Sequence, residues 1–490
     1  MHSRLYKPAL LLLAALLVVG SATCQWLMNR QRAGLGLTRV APLENAPPVL
    51  AFTTVALGGF RGLIANALWI RANDLQQEDK FFEQVQLSSW ITKLEPHFTQ
   101  VWLVQGWNMA YNISVKFRDP YDRWRWVQRG IELLRDDGLR YNPKEALIYR
   151  ELAWFYQHKI GQNLDDAHLI YKYELAHEMQ RVLGGGRPNF GELLNPQTDD
   201  ARARVKLLRE KYKMEPATLK EADELYGPLD WRLPEASAIY WAVVGLKNSN
   251  KKDLTTLRRV IYQCMHMLVM RGRIVLERPD GSFVFGPDVN KISMANDGYL
   301  KMLAEETEKP IVIERAHRNF LRECVYILYM HNRLREANQW MAVLKEKYPE
   351  AVPKDETVEA YSLKRFTSTL TDIDMKRTGT LIDGLLKQHF DNLAIDEDDR
   401  AAGLLRMARQ IYDYYQQATK RRAGIISLPP FQEVIYNSKL NDVLDPATGL
   451  PDYYRARLRT KLGLPAEARA PAGPAPPSNG TNPPPAKPGP

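Results

Sequence analysis

Large apolar side chains recur at helical spacing from about Phe52 to Leu462, and the pattern itself repeats along the chain. Pro96 is followed six residues later by Trp102, then by Gly106 and Trp107. Pro143 is followed six residues later by Tyr149, then by Ala153 and Trp154, so each matched position is displaced by 47 residues. The large side chain fills the gap to a neighbouring helix, and the Gly or Ala four residues on lets the paired helix approach closely. Leu68, Ala72 and Leu75, then Val85, Leu87, Ile91 and Leu94, predict two helices around a turn at Gln76 to Lys80, with Pro96 stopping the second. A third helix is expected over Thr99 to Ser114. Asp119-Pro120 opens a fourth as cap and first-turn proline, Asn142-Pro143 a fifth and Asp165-Asp166 a sixth.

One segment departs from the helical period. Arg273 to Glu277, then Arg278-Pro279-Asp280-Gly281, then Ser282 to Phe285 spells a β-hairpin with a Pro-Asp-Gly turn. The loop from Gly184 to Gln197 ends a first helical block before a helix that begins near Asp199. The expected organisation is an anchor segment at 1–30, a linker at 31–51, helical blocks at 52–186, 187–350 (with the hairpin near 273–286) and 351–464, and a tail at 465–490. That tail holds ten prolines among Ala, Gly, Ser and Asn, a composition expected to be extended and disordered.

Several segments resemble the tetratricopeptide repeat, a helix-turn-helix unit with large, small, aromatic and closing proline residues at fixed positions. Leu68, Ala72, Leu75, Ile91 and Pro96 look like one unit, and Tyr149, Leu152, Ala153, Tyr156, Ala167 and Tyr171 like another. Leu321, Leu328, Ala337, Met341, Leu344 and Pro349 match late in the chain, and Trp241 to Gly245 resembles the opening of a further unit. The 47-residue spacing exceeds the family's usual length, and the resemblance covers about half of the body. It implies an all-α solenoid of stacked helix pairs whose concave face is lined by the first helix of each pair. Carried over by register, the lining residues would be Asn66, Trp69, Asn73, Gln100, Leu103, Trp107, Arg150, Trp154 and Gln157. Amide side chains there suit a peptide backbone, and tryptophans suit an apolar side chain. The competing explanation is that these tryptophans are ordinary interhelical packing.

Arg4 and Lys7 precede an apolar run from Ala9 to Ala22 that Trp26 and its neighbours extend, so Pro8 to Met28 just reaches the ~20 residues a spanning helix needs. The expected state is a single membrane anchor with the body outside the cytoplasm, in the periplasm. Cleavage after Gly20-Ser21-Ala22, giving a secreted protein, is the alternative. A second apolar stretch, Val49 to Ile70, contains Arg61 and three glycines and is expected to begin the soluble body. The formal net charge of +10 is modest for 490 residues and demands no acidic partner. Three cysteines exclude a disulfide framework and a four-cysteine zinc site.

No phosphate loop, zinc-protease helix, nucleophile elbow or Cys-x-x-Cys occurs. Cys264, Met267 and Met270 share a helical face, which suits core filling better than copper. Asp396 to Asp399 precedes a helix from Arg400, where acidic residues favour the helix dipole. Trp124 and Trp126 point roughly 200° apart on a helix, so they form no stacking platform for nucleic acid. The basic residues Arg455, Arg457, Arg459 and Lys461 are expected to be solvated. Cys264 and Cys324 would pair only if the fold made them neighbours. No catalytic residue, cofactor or metal is expected. The leading expectation is a non-catalytic, membrane-anchored scaffold that binds a protein or peptide in an envelope-associated complex, with self-association left open. The alternatives are a carbohydrate or cell-wall binder using the Trp-rich first block, and an enzyme with its site in residues 187–310.

Overall fold

The computed structural model describes residues 61–250, 254–277, 282–305, 310–367, 375–420 and 427–466, together with 13, 16–24, 26–28, 30 and 31. Residues 16–24 and 26–28 are helical, but most of the stretch expected as an anchor lies outside the described residues, as does nearly all of the proline-rich tail. Among the described residues no helix is long and apolar enough to cross a membrane. The chain is mostly helical, with one two-stranded sheet among the described residues. It packs as two units, Met1–Pro143 and Lys144–Pro490.

The first unit opens with two helical hairpins. Helices α1 (Arg61–Gln77) and α2 (Phe81–Leu94) form the first, and α3 (Thr99–Trp107) and α4 (Pro120–Glu132) the second. Ala65, Ala72, Ile91 and Val101 form a buried cluster, against which Leu68, Trp69 and Leu87 pack. Asp119 accepts from the backbone N–H of Tyr121 at 2.7 Å, with Pro120 at the first helical position, as the sequence predicts. A short helix, α5 (Leu139–Tyr141), ends this unit.

The repeat is visible in the backbone. Helix α3 runs straight into a π-helical turn, Asn108–Ile113. In the second unit, α6 (Ala146–Trp154) runs into a π-helical turn at Phe155–Ile160, so both elements recur 47 residues on. Gly106 shows why the small residue belongs there, since an added Cβ would sit 3.1 Å from the Leu134 side chain.

The second unit continues with α7 (His168–Leu183), α8 (Phe190–Leu194), α9 (Asp199–Glu210), α10 (Pro216–Tyr226), α11 (Pro234–Asn248) and α12 (Thr255–Arg271). Thr198 caps α9, accepting from Ala201 N–H at 3.1 Å, so this helix starts where expected. Helix α11 is buried almost all round, which its run Ala236 to Val243 allows because it contains no charge. Strands β1 (Arg273–Glu277) and β2 (Phe283–Gly286) pair antiparallel, with a register shift between Ile274 and Leu276; the expected turn at 278–281 lies outside the described residues.

The remaining helices are α13 (Ile292–Glu305), α14 (Pro310–Met330), α15 (Leu334–Lys347), α16 (Val358–Thr367), α17 (Met375–Ala394), α18 (Asp398–Lys420), α19 (Asn437–Leu444) and α20 (Asp452–Lys461). One turn recurs in the tight hairpins α1–α2, α14–α15 and α17–α18. Asp79, Asn332 and Asp396 each take a left-handed backbone, with φ of 58°, 57° and 64°. The next residue donates its N–H five residues back in every case: Lys80 to Leu75 at 2.8 Å, Arg333 to Leu328 at 2.9 Å and Glu397 to Asn392 at 3.0 Å. Asn and Asp tolerate that backbone better than most side chains, so the sequence carries the signal for each turn.

Neighbouring hairpins lock through a close approach. An added Cβ on Gly403 would fall 2.0 Å from the Met330 carbonyl oxygen, so α18 touches the end of α14. Arg406 then donates to the Tyr329 carbonyl and to Asn332, and lies over the Tyr329 ring. The C-terminal helix corrects one expectation. Arg455 is buried, and Arg457 and Lys461 pair with Asp396, while Lys461 also reaches Asp398. Arg457 and Lys461 are thus held by the acidic residues at the start of α18, and Arg455 by Asp452 and the Leu450 carbonyl, rather than solvated. Cys264 and Cys324 are both buried and free, so no disulfide joins them. Among the described residues no cluster of candidate metal ligands occurs.

Two consequences are measurable. Gly403→Ala should lower unfolding free energy by about 1–3 kcal/mol in urea titrations, the usual cost of overpacking. Gly379→Ala, inside α17 with open space around it, should raise it by ~0.5–1 kcal/mol through reduced chain entropy and better helix propensity.

His317 gives a pH prediction. It is fully buried on α14, with one ring nitrogen 2.9 Å from the Asn296 amide oxygen and the other 2.9 Å from the Tyr348 hydroxyl. Asn296 accepts, so the neutral ring that donates from Nε2 and accepts at Nδ1 satisfies every group. Burial, with a contribution from Lys347, pushes its pKa down to about 4. Because the folded-state pKa lies below the unfolded value near 6.5, its contribution is intact above ~6.5 and is lost as pH falls from there through about 4. Urea midpoints taken between pH 7 and 4 should fall less steeply in His317→Gln than in the native chain.

Candidate functional site

The residues expected to line a binding face divide between the two units. On the first unit, Asn66 and Gln100 are exposed, and Trp69 and Asn73 are half-buried. The Trp69 ring meets Phe98 at 5.8 Å between centroids, joining α1 to the approach to α3. Trp107 ends α3 and is 38% exposed. It stacks on Tyr111 at 5.6 Å, a partner delivered by the π-helical turn. Leu103 is half-buried on the same helix.

On the second unit the same arrangement recurs. Trp154 ends α6 and stacks on His158 at 4.4 Å, again four residues on within a π-helical turn. Arg150 lies 5.8 Å from the Trp154 ring and pairs with Glu151 at 2.5 Å. Burial raises the Glu151 pKa against the opposing pull of Arg150. Burial, helped by Lys159, lowers that of His158. Gln157 is different: it is buried, and its amide donates to the Gln263 side chain at 2.9 Å. It therefore ties the π-helical turn after α6 to α12 and does not stand on a surface.

The first unit also carries a surface aromatic group that the repeat register does not pick out. Phe82, 55% exposed, meets Phe117 and Trp126 edge-on at 6.3 and 5.6 Å. Phe117 and Trp126 stack on each other, and Arg129 lies 4.7 Å from the Trp126 ring. Trp124, two residues before, is buried, as opposite helical faces require. A neighbouring aromatic-and-basic sequence, Arg123 to Trp126, was the available signal. What it does not show is that Phe82 and Phe117 come from other elements to complete the group.

The six-residue spacing from proline to aromatic also acquires a reason. Trp102 is buried and donates its indole N–H to the Pro96 carbonyl at 2.9 Å. Asn142 donates to the same carbonyl at 2.9 Å, and also to Gly138, pinning the chain that leaves the second hairpin. Asn142 is thus a tether, and the side chain that caps α6 is Glu145.

Trp102→Phe and Asn142→Ala should each cost about 1 kcal/mol, the usual value of one hydrogen bond. Because both donors share one acceptor, the double variant should depart from additivity, measurable as a coupling term in a double-mutant cycle followed by urea denaturation. Compared with known proteins, the chain matches no family model, no curated protein and no solved structure.

Proposed function

We propose that this chain is a membrane-tethered helical-repeat protein that binds another protein or peptide, without catalysis, in an envelope-associated complex. The observation that carries the reading is the set of large apolar side chains exposed on the first unit: Leu63, Ile70, Phe82, Phe98, Trp107 and Tyr121. Single exposed hydrophobics are ordinary, but a concentration of them marks an interaction surface, and aromatic residues dominate the energetic centres of such surfaces. Exposed amides at Asn66 and Gln100 supply the polar contacts that fix a partner's orientation. The 47-residue recurrence of helix, π-helical turn and stacked aromatic pair supports a stacked-repeat, tetratricopeptide-like architecture. The apolar stretch from Pro8 to Met28 would hold the body at a membrane, on the periplasmic side.

The test is affinity capture of the full-length protein from detergent-solubilised membranes, confirmed by reciprocal capture of the protein that comes down. Replacing Asn73 and Trp107 together by alanine should lower recovery of that partner at least tenfold while the helical circular dichroism stays the same. Undiminished recovery would remove the proposed face.

A further inference from the structure

The second unit holds an open cavity of about 390 Å³ between α7, the first turn of α11, the end of α12 and strand β2. One wall is aromatic. Tyr173 stacks on Phe285 at 6.3 Å and meets Phe283 edge-on at 6.2 Å. The opposite end is charged, with Lys172, Glu235, Arg271 and His168 on the lining. An apolar chamber with a few convergent polar groups is the usual form of a small-molecule site, and this one lies inside the usual size range of roughly 300–1,000 Å³.

The charges at that end do not cancel. Glu235, buried in the first turn of α11, is taken by Arg271, whose Nε and Nη2 lie 3.0 and 2.9 Å from its Oε1. Asp165, the other carboxylate that acts on Lys172, is taken by Lys159 at 2.7 Å. Lys172 is left. Its side chain sits on α7 with 4% of the residue exposed, and its ammonium meets three neutral partners: the Gln162 carbonyl at 3.1 Å, the Asn163 amide oxygen at 3.2 Å and His168 Nδ1 at 3.1 Å. A buried cation is costly without a counter-charge. Burial, reinforced by Arg271 and opposed by Glu235 and Asp165, lowers the Lys172 pKa to about 8, so the ammonium is still charged at neutral pH. His168 is lowered as well, by burial and by Lys172, which suits a neutral ring accepting from the ammonium.

We propose that this cavity binds a small monocarboxylate with an aromatic or short aliphatic body, its carboxylate on Lys172 and its body against Phe283 and Phe285. One uncompensated positive charge matches one carboxylate, whereas a phosphate dianion would leave an excess negative charge in a buried site. The carboxylate would displace the Asn163 amide oxygen, which also stands on the cavity wall. A carboxylate accepts a stronger bond from an ammonium than a neutral amide does.

The experiment is calorimetric titration of the full-length protein in a non-ionic detergent, with benzoate and hexanoate as probes and benzyl alcohol and inorganic phosphate as comparisons. Benzoate or hexanoate should bind saturably at pH 7, and Lys172→Met should weaken binding at least tenfold. Phe285→Ser should weaken binding of the body without removing the carboxylate contact. Affinity should also fall by tenfold or more between pH 7 and pH 9.5 as the Lys172 ammonium loses its proton; His168, Tyr173, Glu235 and Arg271 are the other titratable groups on the wall, and the Lys159–Asp165 pair lies beside it. That pH arm uses the native chain, so it stands even if the lysine variant fails to fold. Absence of saturable binding by either carboxylate would overturn the proposal. So would benzyl alcohol or phosphate binding as tightly, or affinity unchanged by both the variant and the pH.

Discussion

Helices of this chain can bury their apolar faces only because consecutive helices turn back tightly enough to touch. The left-handed residue at Asp79, Asn332 and Asp396, with its N–H to carbonyl bond five residues back, makes that reversal within three residues. Each turn fixes where the next helix starts, and so which of its faces meets the first. Downstream packing inherits this placement. Gly403 comes against the end of α14, Arg406 reaches Tyr329 and Asn332, and the basic helix α20 settles on the acidic turn at Asp396.

Local chemistry made much of the fold legible in the sequence. A capping aspartate followed by proline placed α4, Asp199 placed α9, and alternating apolar residues around Pro-Asp-Gly placed the hairpin. The 47-residue offset was legible too, because matched bulky and small residues report the same helix face in both copies. The π-helical turns after Trp107 and Trp154 were not. A π turn inserts one residue without changing composition, so no residue type announces it. Yet these turns set the stacked pairs Trp107–Tyr111 and Trp154–His158.

Long-range partners were the other gap. Gln157 meets Gln263 across 106 residues of chain, and Arg457 and Lys461 meet Asp396 across about sixty. A glutamine in a lining register and a run of arginines look solvated until their partners are placed. The cavity at Lys172 belongs to the same class, since its walls come from α7, α11, α12 and β2 and no local window contains them together. Burial decides in each case. Side chains that sequence alone assigns to water become structural once another element covers them.

Both units expose large apolar side chains, and the second also carries a charged pocket. The first exposes aromatic and aliphatic side chains on short hairpins. The second packs Trp231, Tyr240 and Trp241 in and beside α11 and holds a pocket lined by Lys172, Glu235 and Arg271. If the proposed function holds, the exposed face of the first unit is occupied by a protein in the cell. The most direct measurement is photo-crosslinking in intact cells from a benzoylphenylalanine placed at position 107 or 121, with position 152, where Leu152 is buried, as the control. One discrete protein adduct is expected from the two exposed positions and none from the buried one. No adduct from 107 and 121, or the same ladder from all three, would contradict it.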